Sequence, residues 1–232
     1  MELYYKFQPI TWFVGVIDAS PKEVATVIQP LYIPYKELEG IYQEAMSIDK
    51  GLSNLEPLGG MRKFLLVETI DGRTVLFNTF VMGAVELPTT YAAENLDVSS
   101  YYVCNVPNTI SKDQYSGAWG ARKIEYRIPG NTISEEPTFG IHLINDCGKW
   151  CFYRYGSQPF EDEKAYKSYR KTSRFTEKML VDYCEALGVP VYDRDFYTDN
   201  SIIIQRKPRP NEKGLTYEEA AVKLRISQKS AC

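Results

Sequence analysis

His142 is the only histidine of this chain, so any Ser-His-Asp or Cys-His mechanism has to run through it. It stands in an alternating run with Ile141 and Leu143, which reads as a strand. No second polar group lies at a spacing that implies contact. Cys104 and Cys184 are distant in sequence and can meet it only if the fold brings them there. His142, Cys147, Cys151 and Cys184 are four residues of zinc-ligand type, but structural zinc sites carry paired cysteine knuckles and only one such pair is present. Two cysteines on a turn and a strand are more often small buried hydrophobes. The expectation is therefore no catalytic residue, no metal and no cofactor.

Asp193, Asp195 and Asp199 crowd one turn, yet the glycine and distal glutamate of a calcium-binding loop are missing. Such a turn is expected to cap its own backbone. No phosphate-cradling glycine loop, nucleophile elbow or zinc-protease helix motif occurs.

One local concentration of charge stands out. Lys164, Lys167, Arg170, Lys171, Arg174 and Lys178 are interleaved with Tyr166 and Tyr169. Read as a helix, the segment puts Tyr166, Tyr169 and Ser173 near one face with the cations around the rest. Its acidic start (Glu161, Asp162, Glu163) and basic continuation also suit a solvated helix aligned with its own dipole. If the segment binds anything, its contacts are Tyr166, Lys167, Tyr169, Arg170, Lys171 and Arg174, facing phosphates or an acidic protein.

The elements that must carry these residues can be read locally. Ile10–Ile17 is a continuous β-favouring run, followed by a helix capped at Ser20 with Pro21 and Glu23 in its first turn and ended by Pro30 and Pro34. Leu38, Ile41, Tyr42 and Ala45 share one face of a helix predicted from Tyr35 to about Ile48. After the Gly59-Gly60 joint, Asp71-Gly72 predicts a hairpin between Phe64–Ile70 and Thr74–Phe77. Val81 to Asp97, with Gly83 and Pro88, reads as a long connection. Strands follow at Tyr101–Val106, at Lys123–Ile128, and on both sides of the Asp146-Cys147-Gly148 turn, where Trp150 is expected to carry core packing. A helix from Thr176 to Gly188 and a strand at Ser201–Ile204 complete the domain.

Past Lys207-Pro208-Arg209-Pro210 the composition turns polar. Thr216 and Glu219 then form a capping box, opening a short helix expected to dock against protein. Its Leu215–Ser227 stretch resembles the first helix and turn of excisionase-like helix-turn-helix modules, without the second helix that reads a groove. The fold class expected is α+β, mainly an antiparallel β-sheet with hairpins and several packed helices. Residues 1–206 form one domain, with 1–58 as a candidate N-terminal lobe and 207–232 as linker and C-terminal helix.

At 232 residues, 44% hydrophobic and 25% charged, the chain has the composition of a globular protein. Its net charge of −3 supplies no global basic field for nucleic acid. No apolar run is long enough to cross a bilayer, and Met1-Glu2-Leu3-Tyr4 lacks the start of a secretory signal. Five cysteines, with Cys232 the last, are an odd and scattered set that suits reduced thiols and a cytoplasmic location. Eighteen tyrosines suit half-buried sheet faces and protein-binding surfaces alike.

Gly148-Lys149-Trp150-Cys151-Phe152, Gly156-Ser157-Gln158-Pro159-Phe160-Glu161, Tyr166, Arg170, Arg174-Phe175-Thr176, Leu180, Tyr183, Leu187-Gly188 and Asp195-Phe196-Tyr197 follow one another in a characteristic order. This order resembles a group of uncharacterised bacterial proteins with a G-x-W-x-F, P-F-E, R-F-T, L-G, D-F-Y pattern. The resemblance spans about the last two-thirds of the chain before the tail. Ser157-Gln158 replaces the group's more usual turn residues, and the N-terminal elements lie outside it. It implies an accessory protein of toxin or defence loci. The function expected is thus a cytoplasmic, non-enzymatic protein-binding domain of the immunity type, with a toxin as partner. The alternative is a phage- or defence-associated enzyme or nucleic-acid-binding protein using His142, Cys184 or the basic segment.

Overall fold

The computed structural model describes residues 1–60, 62–81, 85–113 and 115–226. In chain order its elements are α1 (Glu2–Lys6), β1 (Phe13–Ile17), α2 (Pro21–Tyr32), β2 (Leu38–Ala45), α3 (Ile48–Ser53), β3 (Lys63–Thr69), β4 (Thr74–Asn78) and α4 (Glu86–Leu96). There follow β5 (Ser100–Val106), β6 (Ala121–Arg127), β7 (Phe139–Asp146), β8 (Lys149–Tyr155), α5 (Glu163–Tyr166), α6 (Glu177–Ala186), β9 (Tyr197–Arg206) and α7 (Tyr217–Leu224). The nine strands form one antiparallel sheet in the order β2-β9-β3-β4-β1-β5-β6-β7-β8. This is an α+β fold.

Strand register assigns the side chains to two faces, since they alternate along each strand. Gly15, Tyr102 and Glu125 are successive cross-strand neighbours on one face. There α4 comes so close that a Cβ on Gly15 would lie 1.8 Å from Thr89 Oγ1. The same face carries Phe64, whose ring meets Tyr32 of α2. On the opposite face lie Leu65, against Gly51 of α3, and Arg122, which donates to the Phe175 carbonyl just before α6. Helices therefore cover both faces. One continuous core between them holds Trp12, Phe64, Phe77, Phe139 and Phe175, all fully buried.

Local signals place most elements where the sequence predicts them. Ser20 and Glu23 form a reciprocal capping box on α2, which runs through Pro30 to Tyr32. Gly72 has φ 81° in the β3–β4 turn, and Cys147 and Gly148 have φ 46° and 94° at the β7–β8 tip. Thr176 caps α6, and Gly188 follows it with φ 69°.

Four expectations are corrected. The segment predicted as a helix over Tyr35–Ile48 is the edge strand β2, because pairing along Ile202, Ile203 and Ile204 of β9 outweighs a helical apolar pattern. Much of the connection predicted over Val81–Asp97 is helix α4. Pro88 stands in its first turn, where its missing N–H has no partner to lose; Gly83 lies outside the described residues. Ile10–Trp12 is a 3₁₀ turn, so β1 begins only at Phe13. Pro30, predicted to end α2, lies inside the helix, which stops at Tyr32; Trp150 packs against the core with part of its surface accessible.

The C-terminal helix docks on its own chain. Thr216 and Glu219 make the predicted capping box, Leu215 and Leu58 exchange backbone hydrogen bonds of 2.7 Å, and Tyr217 donates to the Leu52 carbonyl. Ala220 and Leu224 are buried. Before the helix, Glu212 pairs with Arg206 (2.7 Å) and Arg62 (3.1 Å), tying the polar segment to the sheet. Ser227 and Cys232 lie outside the described residues. Among the described residues no helix is long and apolar enough to cross a membrane.

Candidate functional site

The basic segment is a loop, correcting the helix predicted for it. Asp162 caps a single helical turn, α5, and a 3₁₀ turn at Lys171–Ser173 follows. Two buried rings decide this shape. Tyr166 packs on Phe152 at 5.3 Å between ring centres, and its hydroxyl lies 3.0 Å from both Glu161 Oε2 and Tyr183 Oη. Phe175 is fully buried at the far end. Between these anchors the chain buries no ring, Tyr169 included, and runs over the surface as a loop.

The two tyrosines predicted to share a face are separated. Tyr166 belongs to the core, where burial, then the hydrogen bond with Tyr183, drives its phenol pKa far up. Tyr169 is fully exposed at the loop's crest. Arg174 is held in place, its Nε donating to the Ser168 carbonyl (2.8 Å) and its guanidinium lying over Phe152. Lys167 and Arg170 are exposed and Lys171 is half-exposed. None of the three has an acidic partner among the described residues.

Two of the nearby acids, Glu161 and Glu163, are paired, and Asp162 caps the backbone of α5. Arg154 on the edge strand β8 makes a bidentate pair with Glu161, both bonds 3.0 Å, and a further bond of 2.7 Å to Glu163. Lys178 is paired with Asp182 one turn on. The surface around Tyr169 therefore carries three cations without an ion pair among the described residues, on a chain of net negative charge. A large amphipathic ring on a loop anchored at both ends, flanked by free cations, is suited to contact an acidic surface.

His142 has a partner that sequence spacing does not reveal. Its Nε2 lies 2.8 Å from Glu125 Oε1, with Arg127 Nη2 at 3.6 Å from the other carboxylate oxygen. Burial raises the Glu125 pKa, and the contact with His142 and the charges of Lys123 and Arg127 outweigh it, so the group stays below the usual glutamate value. The clean alternation of Lys123, Glu125 and Arg127 is the signal that a polar face exists here; which strand lies beside it is not written in the segment.

Neither buried thiol is poised as a nucleophile. Burial pushes Cys104 up to about 12 and Cys184 higher still. Cys147 is exposed on the hairpin tip and Cys151 is half-buried beyond it, both as free thiols. Among the described residues no three His, Cys, Asp or Glu side chains converge as a metal ion requires. Asp193 accepts from the Asp195 N–H, so this acidic turn caps its own backbone.

No protein-family model, no curated protein and no solved structure matches the chain.

Proposed function

We propose that this chain is a non-enzymatic protein-binding domain, an immunity-type inhibitor whose partner is a toxin, acting in the bacterial cytoplasm. The loop around Tyr169 is its contact surface. One observation carries the reading: a fully exposed tyrosine on a loop held by two buried aromatic anchors, beside three cations without acidic partners. Tyr169 supplies contact area at low entropic cost, and Lys167, Arg170 and Lys171 steer and orient an acidic partner. The same cations suit the phosphates of a nucleic acid, and the test separates the two.

Purified protein is titrated with products of neighbouring genes, and with duplex and single-stranded nucleic acid over a salt series. Tyr169→Ala is expected to accelerate dissociation from a protein partner. Neutralising Lys167 and Lys171 is expected to slow association and flatten its salt dependence. Micromolar binding to nucleic acid at physiological salt, lost when those lysines are neutralised, overturns the reading.

A further inference from the structure

Beside this loop, on the α6 side of the sheet, lies a groove of about 260 Å³ bounded by Arg122, Trp150, Asn108, Thr172, Thr176 and Glu177. Its composition differs from the patch. Arg122 is half-buried, and its one protein hydrogen bond runs from Nη1 to the Phe175 carbonyl at 3.2 Å. Its Nε is buried without a hydrogen-bond partner, and no acid pairs with the guanidinium among the described residues. The groove's own carboxylate, Glu177, accepts from the Tyr5 hydroxyl at 2.6 Å. Glu177 thus lies in the groove without pairing with Arg122; a guanidinium partly withdrawn from water with an unpartnered Nε is costly to the free protein, and a carboxylate that pairs with it directly relieves that cost.

Trp150 walls the same space by design of its surroundings. A Cβ on Gly120 would lie 2.7 Å from Trp150 Cη2 and 2.8 Å from Asn108 Cβ, so the ring sits directly against glycine backbone. Asn108 Oδ1 accepts from the Gly120 N–H (3.0 Å) and from Asn145 Nδ2 (2.9 Å), which holds that wall in place. Part of the residue is left accessible to solvent. Thr172 belongs to the 3₁₀ turn of the Tyr169 loop, so groove and patch form one continuous surface.

We infer that the groove between Arg122 and Trp150 is an anchor pocket for an acidic side chain, aspartate or glutamate, presented by a protein partner. The inference rests on the protein-binding reading above and gives that partner its chemistry. The carboxylate pairs with the Arg122 guanidinium, Thr172 and Thr176 supply hydroxyls at the wall, and the methylenes of the acid lie on the Trp150 ring. The flanking cations around Tyr169 then meet the acidic surroundings of that residue.

The probe is a decaglutamate peptide, titrated into the full chain while the Trp150 indole N–H is followed by NMR, with Trp150→Phe to assign the signal and sodium chloride at matched ionic strength as control. A saturable shift at Trp150 is expected, with Arg122→Gln weakening binding about tenfold and Arg122→Lys weakening it less. Thermal unfolding of each variant shows that it is folded. Absence of a Trp150 shift, or equal binding by Arg122→Gln, overturns the anchor pocket. If the peptide still binds that variant and loses affinity on neutralising Lys167 and Lys171, the loop reading survives without the pocket. If Arg122→Gln abolishes the shift and the lysine changes have no effect, the pocket stands and the loop reading fails. An oligothymidylate of matched length that shifts Trp150 at lower concentration than the peptide overturns the assignment to a carboxylate.

Discussion

His142 Nε2 and Glu125 Oε1 meet at 2.8 Å across neighbouring strands although the two residues are not opposite each other. His142 faces Lys123 in the register, and Glu125 faces Gly140. Gly140, opposite Glu125, leaves room around the diagonal contact: a Cβ there would lie 3.0 Å from Pro137 and just touch His142 Nε2 at 3.5 Å. His142→Ala removes the side chain that contacts a buried carboxylate, leaving Arg127 beside it, and is expected to cost about 1–3 kcal/mol. Urea unfolding at neutral pH measures it; an unchanged midpoint contradicts the pairing. Because folding depresses the Glu125 pKa, its contribution is present above the unfolded value, about 4.3, and fades as pH falls through the lower folded value. Glu125→Gln should flatten that part of the acid limb.

Tyr166 and Tyr169 are predicted to behave as opposites. Tyr166→Ala opens a void beside Phe152 and removes hydroxyl contacts with Glu161 and Tyr183, so a loss of about 3–5 kcal/mol is expected. Tyr169→Ala should leave stability within about 0.5 kcal/mol. Denaturant titration of both proteins decides it, and a large loss at Tyr169 would mean the loop is not built as described.

Gly15 marks the closest approach of α4 to the sheet. Gly15→Ala forces its new methyl into Thr89 and should destabilise by about 1–3 kcal/mol. Thr89→Gly in the same chain should recover much of the loss, a coupling that a double-mutant cycle reads directly. Additive effects would place the two residues apart.

Glu212 fastens the segment before α7. Although burial pushes its pKa up, the Arg209 backbone N–H and the guanidinium groups of Arg62 and Arg206 outweigh that and hold it at about 2. Its contribution is therefore complete above the unfolded value of about 4.3 and is lost as pH falls towards about 2. Hydrogen exchange of the α7 amides should show the helix loosening over that interval. Glu212→Gln should loosen it already at neutral pH; exchange independent of both changes would remove Glu212 from this role.

What the chain determines by itself is local. Ser20 with Glu23, Thr176 with Gly188, Thr216 with Glu219, and the Asp71-Gly72 and Cys147-Gly148 turns each act within a few residues, so element type and boundary follow from neighbours in sequence. The tertiary structure decided the rest. Leu38–Ala45 has apolar residues at helical spacing but gains more by pairing its backbone with β9. Lys164–Arg174 has the charge order of a helix, yet Tyr166 and Phe175 are drawn into a core assembled from distant strands and leave Tyr169 outside. The partner of His142, the missing partner of Arg122 and the exposure of Tyr169 all depend on strand register and on contacts between residues far apart in the chain. Local pattern contains no record of those distances, because they arise only when the whole sheet closes around its core.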